Sequence, residues 1–199
     1  MPSKAMPTSL SIEPTTSCNL RCPECPSGLR AFTRPTGMLD VADAVRWLDD
    51  LAPWLTYVNL YFQGEPLLHP QLDTLIARCT DHNLYSSTST NAHHLTDAQC
   101  HKLIDAGLSR LIISIDGLTQ DTYSSYRIGG SLHKVMEGTQ TMVNAKRQRG
   151  RGPHLVWQFL VVGPNEHEVP DLLRAAKESG VDEVEIQTAQ LDDPRDGHP

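Results

Sequence analysis

The chain has 199 residues, 39% hydrophobic and 21% charged, with a formal net charge of −7, a profile of a soluble globular protein the size of one ordinary domain. The acidic balance argues against nucleic acid or an anionic membrane as main partner, because both call for a basic face, and no stretch is long and apolar enough to span a bilayer. The first residues lack the apolar run of a secretion signal, so a cytoplasmic, reducing compartment is expected, and there an odd count of five cysteines excludes a disulfide framework as the organising device.

In chain order, residues 1–8 read as a tail. A first strand over Ser9–Glu13 runs into Cys18-Asn19-Leu20-Arg21-Cys22-Pro23-Glu24-Cys25. Asp40 caps a helix to Leu51, with Val41, Ala44, Val45, Leu48 and Leu51 on one face. A second strand over Tyr57–Phe62 ends in Gln63-Gly64-Glu65-Pro66, and a helix from His69 or Pro70 runs to Cys79. A third strand, Tyr85–Ser89, closes in Ser89-Thr90-Asn91, followed by a helix from Thr96 to Ala106 that Gly107 ends. The fourth strand, Arg110–Ile115, ends in Ser114-Ile115-Asp116-Gly117. Tyr126-Arg127-Ile128-Gly129-Gly130 then opens a long helix from Ser131 to about Lys146. A fifth strand over Leu155–Val162, a helix from Glu166 to Ser179 and a sixth strand over Glu183–Gln187 complete the alternation. Strands alternating with helices imply parallel crossovers and an α/β fold. About six such units predict a partial or complete barrel or an open doubly wound sheet, of which the partial (βα)6 barrel is the expectation. Residues 9–191 form the expected core domain, and the polar segment 192–199 reads as a linker or a cut end.

The spacing CxxxCxxC places the thiols of Cys18, Cys22 and Cys25 at the interval of one helix face. Pro23 and Pro26 oppose a helix there, because proline removes a hydrogen bond and clashes with the preceding turn. The segment is therefore a loop that curls its thiols toward one point. Zinc would want four ligands, commonly in paired CxxC units; only one such unit exists, and Cys79, Cys100 or a histidine would have to supply the fourth. A cubane iron–sulfur cluster usually takes four thiolates. Three leave one iron open, as a catalytic centre requires.

This cysteine loop after a first strand resembles the signature of the radical S-adenosylmethionine superfamily. The resemblance implies that the open iron chelates S-adenosylmethionine, and that one electron cleaves it to methionine and a 5′-deoxyadenosyl radical that takes hydrogen from a substrate. The protein then supplies position and exclusion of water. Gly64, Glu65 and Pro66 resemble the family's loop at the cofactor's amino group, with Gln63 where the family has glycine. Thr90 and Asn91 resemble its Thr-Asn-Gly turn, with Ala92 in place of the glycine. Ser114 and Arg127 match residues that contact S-adenosylmethionine in the SPASM and related peptide-maturing members. Arg127 would grip a carboxylate there, against the plainer reading of a surface ion pair. Gln187 and Leu191 stand where relatives approach the adenine, whereas Glu24 replaces the aromatic residue often found before the third cysteine. Every one of these motifs follows the C-terminal end of a strand, the edge where α/β folds bind ligands. The resemblance further implies a peptide, protein or small-molecule substrate and a reductant such as flavodoxin or ferredoxin. Relatives of this pattern carry a cysteine-rich C-terminal domain, which this sequence does not reach. A non-catalytic zinc or iron–sulfur module and a simple electron carrier are the competing readings. Cys79 and Cys100 read as core thiols, and His93, His94 and His101 as surface or cap residues.

Overall fold

The computed structural model describes residues 6–188. Residues 1–5 of the expected tail, Leu191 and the expected linker or cut end at 192–199 lie outside the described residues. Among the described residues six strands form one sheet: β1 (Ser9–Ser11), β2 (Tyr57–Asn59), β3 (Tyr85–Thr90), β4 (Arg110–Ser114), β5 (His154–Val161) and β6 (Glu183–Thr188). Their order is β1-β2-β3-β4-β5-β6, and every neighbouring pair is parallel. A doubly wound sheet reverses its strand order at a switch point. This one never reverses, which is the order of a barrel wall, and among the described residues β1 and β6 are its outermost strands. The fold is thus an open six-stranded α/β sheet of the partial (βα)6 barrel kind.

Seven α-helices among the described residues accompany the strands: α1 (Pro26–Leu29), α2 (Val41–Leu51), α3 (Leu72–Asp81), α4 (Asp97–Asp105), α5 (Gln120–Tyr126), α6 (Leu132–Arg149) and α7 (Val169–Ser179). The expected caps operate. Asp40 accepts from the amides of Ala42 and Asp43, Thr96 from Gln99 and Ser131 from Lys134, satisfying donors that a helix start leaves unpaired. α3 starts at Leu72, later than His69, because Pro66–Leu68 turn as a 3-10 helix and His69 caps it. α7 is likewise preceded by a 3-10 turn at Glu166–Glu168. Two helices were not expected from the sequence: α1 after the third cysteine and α5 before Arg127. Thr119, which caps α5 by accepting from Thr122, was the readable signal for the second.

In-register residues of parallel strands point to the same face. Leu111, Ile113, Leu155, Trp157 and Phe159 share one face and belong to the main core under the helices. Ser114 pairs with Gln158, and Gln158 with Glu185, on the other. The sheet therefore has an apolar side that packs under the helices, and an opposite side, facing the barrel interior, on which Ser114 and Gln158 follow the buried Ile112 and Val156.

Candidate active site

At the C-terminal ends of β1 to β5 lies a cavity of about 210 Å³. Its lining includes Cys18, Cys22, Cys25, Gly64, Glu65, Pro66, Thr90, Asn91, Ser114 and Arg127. Ten of the eleven site residues expected from the sequence and described by the structure thus meet around one space. Gln187 does not line it; the residue sits exposed on β6, in register with Leu160.

The cysteine segment is a loop, as its prolines require, and it is tied down on three sides. The Arg21 amide donates to the Ile128 carbonyl at 3.0 Å, and the Glu65 amide to the Ser17 carbonyl at 2.8 Å. Asn91 Nδ2 donates to Asn19 Oδ1 at 2.8 Å. Leu20 and Cys22 are buried against Tyr126 and Val162. The short α1 then packs so closely that a Cβ on Gly28 would lie 2.4 Å from the Cys22 carbonyl oxygen. Ser27 of α1 donates to the Thr16 carbonyl at 3.1 Å and accepts from the Gly64 amide at 2.7 Å. Gly64 itself has φ +72°, and a Cβ there would stand 2.2 Å from the Thr15 carbonyl oxygen. Only glycine allows this left-handed conformation and close approach together.

Glu65 is 2% exposed. One carboxylate oxygen accepts from Thr90 Oγ1 at 2.7 Å and from the Leu67 amide at 3.1 Å. The other accepts from the Asn91 amide at 2.7 Å. Burial pushes its pKa up, while these bonds pull the other way. Sequence reasoning assigned Glu65 to a ligand ammonium; the structure engages it in clamping the loop after β2 to the turn after β3. Thr90 is likewise engaged, donating to Glu65 and accepting from the Ala92 amide at 3.0 Å. Ala92 holds φ +64°, so the turn keeps a glycine-like shape despite its Cβ, at a cost of about 1–2 kcal/mol. His93 continues the clamp: its Nδ1 stands 2.9 Å from the Asn91 carbonyl oxygen, and its Nε2 accepts from the Ser131 amide at 2.8 Å.

Arg127 is not a surface ion pair. Its Nε donates to Asp116, whose side chain is fully buried, and its Nη1 lies 3.9 Å from the Cys22 sulfur. Burial opposes the guanidinium charge, but Asp116 and Cys22 outweigh it and push the pKa up. Burial also pushes up the thiols of Cys18 and Cys22, with Arg127 opposing at Cys22. Gly28, Gln158 and Ser89 line the cavity as well. The sequence reading gave them no individual role, although it placed Ser89 in the motif that ends β3; position after the cysteine turn was the signal for Gly28, and Gln158, mid-strand on β5, had none. Cys79 and Cys100 are fully buried in the core, where burial drives each thiol to about 12.

The donor set can be tested against a metal group. Cys18, Cys22 and Cys25 are free thiols lining one cavity. Among the described residues no three His, Cys, Asp or Glu side chains are grouped to hold a single metal ion. An iron–sulfur cube offers each thiolate its own iron, and the three cysteines fit that demand.

Among known proteins, the family described as the radical SAM superfamily matches residues 12–176. The chain is 30% identical over 187 residues to the PqqA peptide cyclase of Gluconobacter oxydans, covering 92% of this chain and 50% of that one. It is 32% identical over 190 residues to the GTP 3′,8-cyclase of Streptomyces coelicolor, covering 93% and 54%. The chain thus spans about half the length of these curated relatives. Among solved structures, Streptococcus suis SuiB bound to the precursor peptide SuiA superposes with a TM-score of 0.77 at 16% identity, over 93% of this chain and 40% of that one. The structure of anSMEcpe with bound AdoMet gives 0.74 at 16%, over 93% and 50%. Both likenesses show the shared fold.

Proposed function

Because the chain belongs to the radical SAM superfamily, a family of enzymes, we propose that Cys18, Cys22 and Cys25 hold a 4Fe–4S cluster whose fourth iron binds S-adenosylmethionine. When bound, the pair supplies the electron and the sulfonium from which a 5′-deoxyadenosyl radical arises to take hydrogen from a substrate. The single observation that carries the reading is the meeting of these thiols with Gly64, Ser114 and Arg127 around one cavity.

The residues of the chain divide the work. The cysteine loop, braced by Ser27 and Asn91, keeps the thiols at the cavity wall. Gly64 lets the backbone approach without a side chain in the way. Glu65 holds the two cofactor-side turns together. Arg127 offers its Nη groups to a carboxylate, a charge-assisted contact that burial strengthens. Ser114, Gln158 and Asn91 present polar groups at the cavity wall, and Phe62, a largely exposed aromatic ring, lines it as well. Gln187, exposed on the last strand, stays a proposal for the adenine side only.

For the substrate we infer a peptide or protein, acted on within the core at residues 9–191. The first relative is named for a peptide; the relative named for GTP supports a small molecule as the second reading. A reductant such as flavodoxin or ferredoxin would deliver the electron. Free thiols and a cluster of this kind fit a reducing cytoplasm, and among the described residues no helix is long and apolar enough to cross a membrane. The test is anaerobic incubation of reconstituted protein with dithionite and S-adenosylmethionine. 5′-Deoxyadenosine should accumulate; a reduced cluster that yields none would make the chain an electron carrier instead.

A further inference from the structure

The carboxylate of Asp116 lies under the proposed cofactor site without lining it. Its side chain is fully buried. One oxygen accepts from the Leu160 amide at 2.8 Å; the other accepts from Arg127 Nε. The residue is itself locked. Asn165, fully buried, donates to the Asp116 carbonyl at 3.1 Å and to the Leu160 carbonyl at 2.8 Å. Glu168 accepts from the Leu118 amide at 2.6 Å. Gly117 packs so tightly on α5 that a Cβ would stand 2.4 Å from the Tyr123 amide nitrogen. The loop after β5 thus holds the backbone of Asp116 through Asn165, β5 itself holds one carboxylate oxygen through the Leu160 amide, and the other oxygen meets one guanidinium.

With Nε committed to Asp116 and Nη1 at 3.9 Å from the Cys22 sulfur, the orientation of the guanidinium plane is fixed from two sides. We propose that Asp116 is a positioning residue that aims the Nη groups of Arg127 at the Cys22 sulfur and at the cavity. The proposal rests on the radical SAM reading of the site. A free arginine would have many rotamers to lose on gripping a carboxylate; one already pinned through Nε has fewer. Arg127 then acts twice, as a donor to a cluster thiolate and as the grip on the cofactor's carboxylate, and Asp116 makes both possible.

The experiment compares Asp116→Asn, Arg127→Ala and the double variant after anaerobic reconstitution. Asparagine keeps an oxygen for the Leu160 amide but turns an amide toward Arg127 Nε, a donor against a donor. The readouts are the dissociation constant for S-adenosylmethionine, titrated through the EPR signal of the reduced cluster, and the thermal melt. Asp116→Asn should weaken binding on the order of tenfold, the worth of one charge-assisted hydrogen bond. The double variant should bind no more weakly than Arg127→Ala, because both changes remove one interaction. Wild-type affinity in Asp116→Asn, or a loss that adds in full to that of Arg127→Ala, overturns the proposal. If the single asparagine variant fails to fold, the double variant, which leaves no buried charge unpaired, carries the same comparison with Arg127→Ala. A wild-type cluster whose signal ignores S-adenosylmethionine overturns the reading beneath as well, so the two failures are distinguishable.

Discussion

Replacing Glu65 with glutamine tests whether the site depends on a clamp between two strand ends. The carboxylate accepts three hydrogen bonds, from Thr90, Leu67 and Asn91. An amide has one oxygen. If that oxygen serves Thr90 and Leu67, the new NH2 faces the Asn91 amide, and one buried donor is orphaned. Such a donor costs about 1–3 kcal/mol. Part is offset, because burial already disfavours the charge on Glu65 and glutamine carries none. A net loss of about 2 kcal/mol corresponds to a melting temperature lower by roughly 4–8 °C for a chain of this size. Far-UV circular dichroism on both proteins in the same cluster-loading state measures it. Ser114→Ala, at the cavity wall, serves as control and should melt with the wild type. If Glu65→Gln also melts with the wild type, the carboxylate is no clamp, and its assignment returns to direct contact with a ligand.

Gly28→Ala should force α1 away from the Cys22 backbone, whose oxygen and nitrogen would lie 2.4 and 2.5 Å from the new Cβ; iron content after reconstitution should fall well below wild type while the far-UV spectrum is kept. Asp49 joins α2 to α3 through Arg78 at 2.6 Å and His82 at 2.8 Å, and these bonds lower its pKa from 3.8 to about 2. The unfolded chain takes up that proton first, so the stabilisation is whole above pH 3.8 and is lost as pH falls toward 2. Urea unfolding across this range should be less pH-dependent in Asp49→Asn. His93 accepts at Nε2 from the Ser131 amide and its pKa is lowered, first by burial. Its neutral form is the folded form, so stability should fall as pH drops below the unfolded value of about 6.5, and His93→Gln should flatten that fall in a series of thermal melts.

Much of the site was legible in the sequence because it sits on strand ends. Once β-rich runs and helix caps alternate, parallel crossovers follow, and every motif after a strand lands on one rim. Pro23 and Pro26 told loop from helix at the cysteines. What could not be read was which polar groups face each other. Glu65 and Arg127 look from sequence like ligand contacts, yet the partners of Glu65 lie 25 and 26 residues away on β3 and the following turn. Those of Arg127 are Asp116 and Cys22, the latter 105 residues distant. Such pairing is set by how loops of neighbouring strands pack, and one sequence carries no periodicity for it. α1 escaped notice because it is one turn long, too short for any hydrophobic repeat. The glycine-like turn at Ala92 escaped because the residue type argues against the conformation it adopts.

The central claim is that the thiols of Cys18, Cys22 and Cys25 grip an iron–sulfur cube with one corner vacant. Mössbauer spectroscopy of anaerobically reconstituted protein, recorded with and without S-adenosylmethionine, reads it most directly. The account predicts a cubane spectrum in which one iron alone changes when the cofactor is added, and its loss in Cys22→Ala. A cube with four equivalent thiolate-bound irons, or full iron retention in Cys22→Ala, would contradict it.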